Sequence, residues 1–268
     1  MNYTILNDIA YGNHERQKVD IYIPETAKSA CGLILYIHGG GWQEGDKSGH
    51  KPDCEHFCNL GYITAATNYR FVAEDISIFN ELDDISAAIK TIKSKLAEYN
   101  YNLQKVILSG GSAGAHLALM YAYTRSDHSA LTPVAACVYC PPVDCSKPDF
   151  LLGISGEFES WKYEILSKCA SSKITKETYS DNRQQSSLKQ MSPYYYVDFN
   201  CVPTAVFHGK NDELIPLEHI EEFIKKLNEK EIKNDFLLYE KSGHALKKDP
   251  EANIIAKKII EEYAKTYF

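Results

Sequence analysis

Apolar segments of strand length alternate with amphipathic segments of helix length along most of this chain. Residues 32–37, GLILYI, form a continuous apolar run, which is typical of a strand buried on both faces of a sheet. Between residues 80 and 99, apolar side chains recur at intervals of three and four, as on the buried side of a helix. The alternation predicts an α/β fold with a mostly parallel central sheet and helices on both faces. The predicted strands are 18–24, 32–37, 62–70, 105–110, 133–140, 203–209 and 235–240, and the predicted helices are 80–99, 113–123, 217–230 and 250–266.

The alternation stops between residues 145 and 200. A structureless stretch of this length is uncommon inside a compact domain. We therefore expect a single domain over residues 1–268 that carries an inserted cap over 145–200, with short helices around 158–170 and 181–190. Aromatic side chains in and beside this segment suit a lid, a core or the stacking of a ring-shaped ligand. They are Phe150, Phe158, Trp161, Tyr163, Tyr179 and Tyr194 to Tyr196.

Residues 110–114 read Gly-Gly-Ser-Ala-Gly, with a predicted strand before them and a predicted helix after them. A serine at a tight strand–turn–helix junction projects its hydroxyl from the sheet edge, and small neighbours let the chain pass close by. The helix N-terminus that follows favours negative charge at this place. The pattern predicts that Ser112 is a catalytic nucleophile rather than a helix-capping serine.

The segment HGGGW at 38–42 directly follows the predicted central strand. Consecutive glycines lose much conformational entropy on folding, a cost that a merely structural loop would usually avoid. The cost is understandable where backbone N–H groups must approach a ligand oxygen. We expect the N–H groups of Gly40, Gly41 and Ala113 to bind the oxyanion of a tetrahedral intermediate. His38 is assigned to the structure of this loop, and Trp42 is a candidate for the wall of the substrate pocket.

Where a serine nucleophile lies on such a turn, the acid and then the base follow it along the chain. Asp212 and His244 follow two successive predicted strands, so we expect both at the sheet edge that holds Ser112. His244 is the predicted base, because His208 ends a strand and His219 belongs to a helix. Asp212 is the favoured acid. The alternatives that stay open are Glu213 and Asp144.

The composition excludes several classes of partner. The net charge is −7 and no basic run is present, which argues against nucleic acid and anionic membrane surfaces. No apolar run approaches the roughly 20 residues that a membrane helix needs. The N-terminus shows no secretory signal pattern, so we expect a cytoplasmic protein whose eight cysteines are reduced. Cys54 and Cys58 lie near His50 and His56, but their spacing does not match a zinc site, and no metal is expected.

Five ordered segments resemble the hormone-sensitive-lipase-like esterases, and more closely their bacterial acetyl-esterase and feruloyl-esterase-like relatives. The resemblance spans about residues 18–265 and implies the α/β-hydrolase fold and ester hydrolysis without a cofactor. The elbow reads Gly-Gly-Ser instead of Gly-Asp-Ser, and Asn68-Tyr69-Arg70 replaces Asp-Tyr-Arg, which separates the chain from the lipase-like branch. The segments are HGGGW, GGSAGAHLA, SPYYYVD at 192–198, HGKNDELIP at 208–216 and SGH at 242–244.

These observations predict a serine carboxylesterase that hydrolyses small-molecule esters with short acyl chains through an acyl-enzyme on Ser112. Acetylated carbohydrates are among the candidate substrates. The HGGGW and SAGAHLA segments are also similar to those of kynurenine formamidase, so hydrolysis of an aryl formamide is the alternative activity. A ligand-binding protein without catalysis is disfavoured, because Ser112, Asp212 and His244 are all present.

Overall fold

A computed structural model describes residues 3–27, 32–151, 153 and 159–268. Its described residues form eight strands in one sheet, in the order β1-β2-β4-β3-β5-β6-β7-β8. The sheet confirms the predicted α/β class. The strands are β1 (Tyr3–Ala10), β2 (Lys18–Pro24), β3 (Gly32–Ile37), β4 (Ile63–Thr67), β5 (Lys105–Gly111), β6 (Thr132–Tyr139), β7 (Thr204–Gly209) and β8 (Asn234–Tyr239).

Strand β3 lies in the interior of the sheet, between β4 and β5, and pairs in parallel with both. All of its residues are buried, as expected for a strand with helices on both sides. The parallel pairing continues from β5 to β8, whereas β1 and β2 are antiparallel additions at one edge. The carboxyl ends of β3, β5, β7 and β8 therefore meet at one edge of the sheet.

Helices cover both faces of the sheet. The buried side chains of α2, α3 and α6 belong to one hydrophobic cluster, and those of α1 and α7 belong to a second cluster on the opposite face. Among the helices of the described residues, none is long and apolar enough to cross a membrane. These helices are α1 (Lys51–Asn59), α2 (Ile78–Ala97), α3 (Ala113–Thr124), α4 (Glu159–Cys169), α5 (Asn182–Gln190), α6 (Leu217–Glu229) and α7 (Pro250–Tyr267).

Strand β1 and helix α1 were not predicted from the sequence. In β1 the apolar alternation is broken at Asp8, where φ is 54° and the register with β2 shifts. Helix α1 has nine residues and buries only Cys54, Phe57 and Cys58, so its apolar stripe is too short to recognise. Both elements are held by tertiary contacts rather than by a strong local pattern.

The segment over 145–200 contains α4, α5 and a 3₁₀ helix at Pro193–Tyr196. Helices α4 and α5 begin at residues 159 and 182, each one residue after the start of its predicted range. Residue 158 itself lies outside the described residues. The Tyr179 hydroxyl donates to the Cys145 carbonyl at 2.7 Å, which ties the segment to itself. The His116 ring lies 2.6 Å from the Met191 carbonyl, which ties the segment to α3.

Candidate active site

Ser112 lies between the end of β5 and the start of α3, with φ 54° and ψ −122°. A residue other than glycine rarely adopts a positive φ, and the cost is tolerated where the surrounding structure holds the residue in place. Here the Ser112 N–H donates to the Tyr139 carbonyl at 2.8 Å, and the Ser112 carbonyl accepts the His116 N–H at 3.0 Å. The strained turn holds the hydroxyl at the carboxyl edge of the sheet.

The glycines of the turn allow strand β3 to pass close to it. A Cβ at Gly114 would lie 2.1 Å from the Ile37 carbonyl oxygen and 2.5 Å from the His38 carbonyl oxygen. A Cβ at Gly110 would lie 2.5 Å from the same Ile37 oxygen. No side chain fits at these distances. The pattern of glycines therefore brings the HGGGW segment against the serine.

The structure brings Ser112, His244 and Asp212 together. The Ser112 hydroxyl lies 2.8 Å from His244 Nε2, and the other ring nitrogen of His244, Nδ1, lies 2.8 Å from Asp212 Oδ2. With His244 in the tautomer that carries its proton on Nδ1, the ring donates to the carboxylate and accepts from the serine hydroxyl. This is the arrangement that activates a serine as a nucleophile.

The carboxylate of Asp212 is completely buried. Its Oδ1 accepts the Leu214 N–H at 2.9 Å and the Ile215 N–H at 3.0 Å. Burial opposes its ionisation, but the hydrogen bond from His244 and the backbone donors outweigh burial and lower the pKa of Asp212. The residue therefore stays ionised and can orient the imidazole at neutral pH.

The other candidates for the acid and the base take different partners. Asp144 accepts hydrogen bonds from the backbone and hydroxyl of Ser146, and the side chain of Glu213 accepts the His244 backbone N–H at 3.3 Å. His208 Nε2 lies 3.1 Å from the Ile215 carbonyl and 3.8 Å from Asp212 Oδ2, so it is a second neighbour of the acid, and His219 lies 2.8 Å from Asp149. Neither acid reaches the ring of His244.

The loop after β3 runs beside Ser112. Gly40 and Gly41 have φ values of 116° and 56°, which the absence of a Cβ in glycine makes possible. None of the backbone N–H groups of Gly40, Gly41 and Ala113 donates a hydrogen bond to a described residue. The three groups therefore have the unused hydrogen-bonding capacity that the predicted oxyanion donors require.

Arg16, from the turn between β1 and β2, supports this loop from behind. It donates to the Tyr69 carbonyl and the Gly45 carbonyl, both at 2.9 Å, and its guanidinium lies 3.1 Å from His38 Nε2. Because Arg16 has no acceptor, His38 Nε2 must accept, and the proton of the ring is on Nδ1. His38 Nδ1 then donates to the Gly39 carbonyl at 2.7 Å. His38 therefore has the structural role in the loop that the sequence predicted.

This contact sets the direction of the Gly40 N–H. The Gly39 carbonyl and the Gly40 N–H belong to the same peptide group, and in a trans peptide they point in opposite directions. Holding the carbonyl toward His38 therefore turns the Gly40 N–H away from it. Burial, with a further contribution from Arg16, lowers the pKa of His38 to about 4, so the ring is neutral at pH 7.

The ring of Trp42 is not among the groups that line the cavity beside Ser112, which is described below. This corrects the prediction made from its place beside the glycines. The side chain is 2% exposed and packs in the core. Its Nε1 donates to His116 Nδ1 at 3.1 Å, and its carbonyl accepts the Val72 N–H at 3.0 Å. A large apolar ring with one donor reaches a lower free energy inside the core, where that donor has a partner.

A cavity of about 730 Å³ lies beside the triad. Ser112 and the segment from His244 to Lys247 are among the residues that line it. Its lining also includes polar residues of α7 and of the region around the start of α1, which sequence reasoning missed. Only His50 among them had been considered, in the comparison with zinc sites. These residues are His50, Asp53, Asn253 and Lys257.

One group of side chains in the described part of the chain has the composition and proximity of a metal site. Cys140, Asp212 and His244 place one ligand atom each within 4.8 Å of one another. The donors of Asp212 and His244 already bond to each other, and burial raises the pKa of the Cys140 thiol well above its ordinary value. A neutral thiol is a poor metal ligand. The three side chains are therefore better explained as the hydrogen-bonded Asp212–His244 pair with a thiol beside it than as a metal site.

Residues 19–227 match the BD-FAE family. The chain belongs to this family. Among curated proteins, the chain is 26% identical over 239 residues to a probable carboxylic ester hydrolase, LipM of Mycobacterium tuberculosis, with 85% of this chain and 53% of LipM aligned. It is 31% identical over 131 residues to kynurenine formamidase of Salmo salar, with 48% of this chain and 42% of that protein aligned. The chain spans about half the length of these relatives.

Among solved structures, the chain is similar to a truncated carbohydrate esterase from gut microbiota, with a TM-score of 0.79 and 19% identity. The match covers 98% of this chain and 96% of the other. At this identity the similarity establishes the fold. The α/β-hydrolase fold and the esterase-like family predicted from the sequence are both confirmed.

Proposed function

We propose that this protein is a serine carboxylesterase acting on small-molecule esters with short acyl chains. The observation that carries the proposal is the pair of 2.8 Å contacts joining Ser112, His244 and Asp212. Ser112 is the nucleophile, His244 the general base and Asp212 the residue that orients the base. Membership of the BD-FAE family and the similarity to a probable carboxylic ester hydrolase support the same activity.

In the first half of the reaction, Ser112 Oγ attacks the acyl carbonyl carbon while His244 Nε2 takes the hydroxyl proton. The carbonyl oxygen becomes an oxyanion, which the N–H groups of Gly40, Gly41 and Ala113 stabilise. The bond from the carbonyl carbon to the alcohol oxygen then breaks, and His244 gives its proton to that oxygen.

In the second half, water attacks the carbonyl of the acyl-enzyme. His244 takes a proton from the water, and the bond to Ser112 Oγ breaks. The serine recovers its proton from His244, and the carboxylic acid leaves. Every bond is formed and broken by groups of this chain, the ester and water.

We propose further that residues 145–200 form a cap on this single hydrolase domain. The support is the position of Trp161 on α4, whose Cζ2 would lie 3.2 Å from a Cβ at Gly41. The cap therefore packs directly on the loop that supplies the oxyanion donors. For the location of the protein we propose the cytoplasm, because seven cysteines among the described residues are free thiols.

A second candidate is hydrolysis of an aryl formamide, which the similarity to kynurenine formamidase favours. Both reactions use the same triad and differ in the leaving group.

The two candidates are separated by rates on 4-nitrophenyl esters from acetate to decanoate and on N-formylkynurenine. We expect the largest kcat/KM for acetate to butyrate. A preference for decanoate would contradict the short-chain proposal, and a much larger kcat/KM for N-formylkynurenine would favour the second candidate. The variant Ser112→Ala is the control and should be inactive on all of them.

A further inference from the structure

The first residues of the proposed cap contact the loop that carries the triad acid. Asp149, Leu151 and Gly153, which we call the cap clamp, lie against the loop after β7 and the start of α6. We propose that the cap clamp positions Asp212 for catalysis, with Asp149 and His219 as positioning residues, so that the triad is complete only while this part of the cap is docked. The inference rests on the proposed esterase function and names a device that regulates the same site.

The backbone of the cap clamp is hydrogen-bonded to the acid loop itself. The Leu151 N–H donates to the Leu214 carbonyl and the Gly153 N–H donates to the Glu213 carbonyl, both at 2.9 Å. A Cβ at Gly153 would lie 2.0 Å from the Glu213 carbonyl oxygen, so no side chain fits between the two segments. Leu151 has a φ of 58°, a conformation that persists in a leucine where the surrounding structure holds it.

The peptide groups that the clamp contacts are the ones that orient Asp212. Its Oδ1 accepts the Leu214 N–H at 2.9 Å and the Ile215 N–H at 3.0 Å. The Leu214 N–H shares a peptide group with the Glu213 carbonyl, and the Ile215 N–H shares one with the Leu214 carbonyl. Each peptide group therefore donates to the acid on one side and accepts from the clamp on the other. Because the N–H and carbonyl of a planar trans peptide point in opposite directions, fixing the carbonyl fixes the donor.

A side-chain hydrogen bond fastens the clamp to α6. His219 is buried in the first turn of this helix, and its Nε2 lies 2.8 Å from Asp149 Oδ1. A carboxylate has no proton to donate, so the ring donates. Burial opposes ionisation of Asp149, but the hydrogen bond from His219 outweighs burial and lowers the pKa of this carboxyl. The side chain of Asp149 is 46% exposed, so it can be replaced without opening the core.

The same side of α6 makes further contacts with the cap. Lys147 pairs with Glu222, and Lys226 Nζ donates to the Tyr194 carbonyl at 2.6 Å. Residues 219, 222 and 226 follow one another at intervals of three and four, so they lie on one side of the helix. The cap is thus docked along the helix that begins directly after the acid loop, and the contact at residue 219 is the one nearest that loop in the chain.

Release of the clamp should therefore act on the chemical step. The donors that hold Asp212 would be free to turn, and the carboxylate would orient the ring of His244 less well. Binding of the ester does not depend on Asp212 directly. The expected signature is a lower kcat with little change in KM.

The test measures hydrolysis of 4-nitrophenyl acetate across the pH profile by the wild-type protein, Asp149→Ala and Asp149→Asn. Asparagine keeps an oxygen that accepts from His219, whereas alanine removes it. The matched control is Asp181→Ala, because Asp181 is an exposed aspartate of the same segment whose side chain makes no capping hydrogen bond. Rates are divided by the concentration of sites that react with a fluorophosphonate, so that unfolded protein does not contribute.

We expect Asp149→Ala to lower kcat by about 3- to 30-fold, the range for residues that act through others. The acidic limb of its rate profile should move to lower pH by about 0.5–1 unit, because a displaced carboxylate stabilises the imidazolium of His244 less. Asp149→Asn should recover most of kcat, and Asp181→Ala should match the wild-type protein.

Several outcomes would overturn the inference while the esterase function stands. They are a kcat for Asp149→Ala within twofold of wild type, a lower kcat with an unmoved acidic limb, an equal loss in Asp149→Asn, and a similar loss in Asp181→Ala. An unmoved acidic limb would mean that the contact is merely structural. A wild-type protein that hydrolyses no ester would overturn the proposed function itself, and this inference with it.

Discussion

Replacing Arg16 with methionine should slow catalysis, although Arg16 does not touch the substrate site. Its guanidinium lies 3.1 Å from His38 Nε2 and so keeps the proton of His38 on Nδ1, where it holds the Gly39 carbonyl at 2.7 Å. Without Arg16 the proton is free to move to Nε2. The Gly39–Gly40 peptide then loses the contact that orients the Gly40 N–H, which we propose as an oxyanion donor.

The magnitude follows from what this contact controls. Removing one oxyanion donor completely costs about 100- to 1,000-fold in kcat. Arg16 controls the orientation of one donor through a charge-assisted hydrogen bond worth about 1.5–3 kcal/mol, which corresponds to a bias of about 10- to 100-fold. We therefore expect Arg16→Met to lower kcat by about 10- to 100-fold, with little change in KM, because the donor acts mainly in the transition state.

The assay is steady-state hydrolysis of 4-nitrophenyl acetate by Arg16→Met, Arg16→Lys and the exposed control Arg183→Met. A lysine can donate to His38 but cannot also reach both carbonyls as a planar fork, so partial recovery is expected. The control should match the wild-type protein. A kcat for Arg16→Met within twofold of wild type, or a change confined to KM, would refute the reasoning.

Three further results are expected. In Asp212→Asn the amide donates to the imidazole and favours the wrong tautomer, so kcat should fall by about 10,000-fold in the ester assay while circular dichroism stays unchanged; a loss below tenfold would argue for another acid. Burial lowers the pKa values of His38 and His116 to about 4. The ordinary value of about 6.5 applies after unfolding, so the unfolded chain binds protons first on acidification. In urea unfolding, the free energy of unfolding should therefore have its full value above about pH 6.5. It should fall by about 3 kcal/mol for each histidine as the pH is lowered to about 4. A free energy of unfolding that stays constant over this range would contradict the burial of the two rings. Gly114→Ala should cost about 1–3 kcal/mol in urea unfolding and lower kcat, because its Cβ would overlap two carbonyls of the neighbouring strand. Gly49→Ala, with open space around the new Cβ, should do neither.

The sequence predicted those parts of the site whose geometry follows from local structure. Ser112 lies in a turn between a buried strand and a helix, and both elements have clear patterns. Asp212 and His244 follow successive parallel strands, whose carboxyl ends share one edge of the sheet. Once the order of elements was recognised, these three residues were expected to meet.

Other features depend on contacts between distant segments. Trp42 is adjacent in sequence to the oxyanion glycines, yet its ring turns into the core to meet His116, which no local pattern reveals. The polar side chains that line the cavity come from α7 and from the region around the start of α1, an element too short and polar to be recognised. Arg16 reaches the active-site loop from a strand pair whose first member is interrupted at Asp8. In each case packing decides the outcome, because the local pattern is weak or absent.

The most direct test of the account is whether Ser112 is a nucleophile activated by His244. The folded protein is treated with a fluorophosphonate, and the adduct is located by mass spectrometry of its peptides. We predict one adduct per chain, on Ser112, which is absent in Ser112→Ala and forms far more slowly in His244→Ala. No adduct on the folded wild-type protein, or an adduct on another residue, would contradict the account.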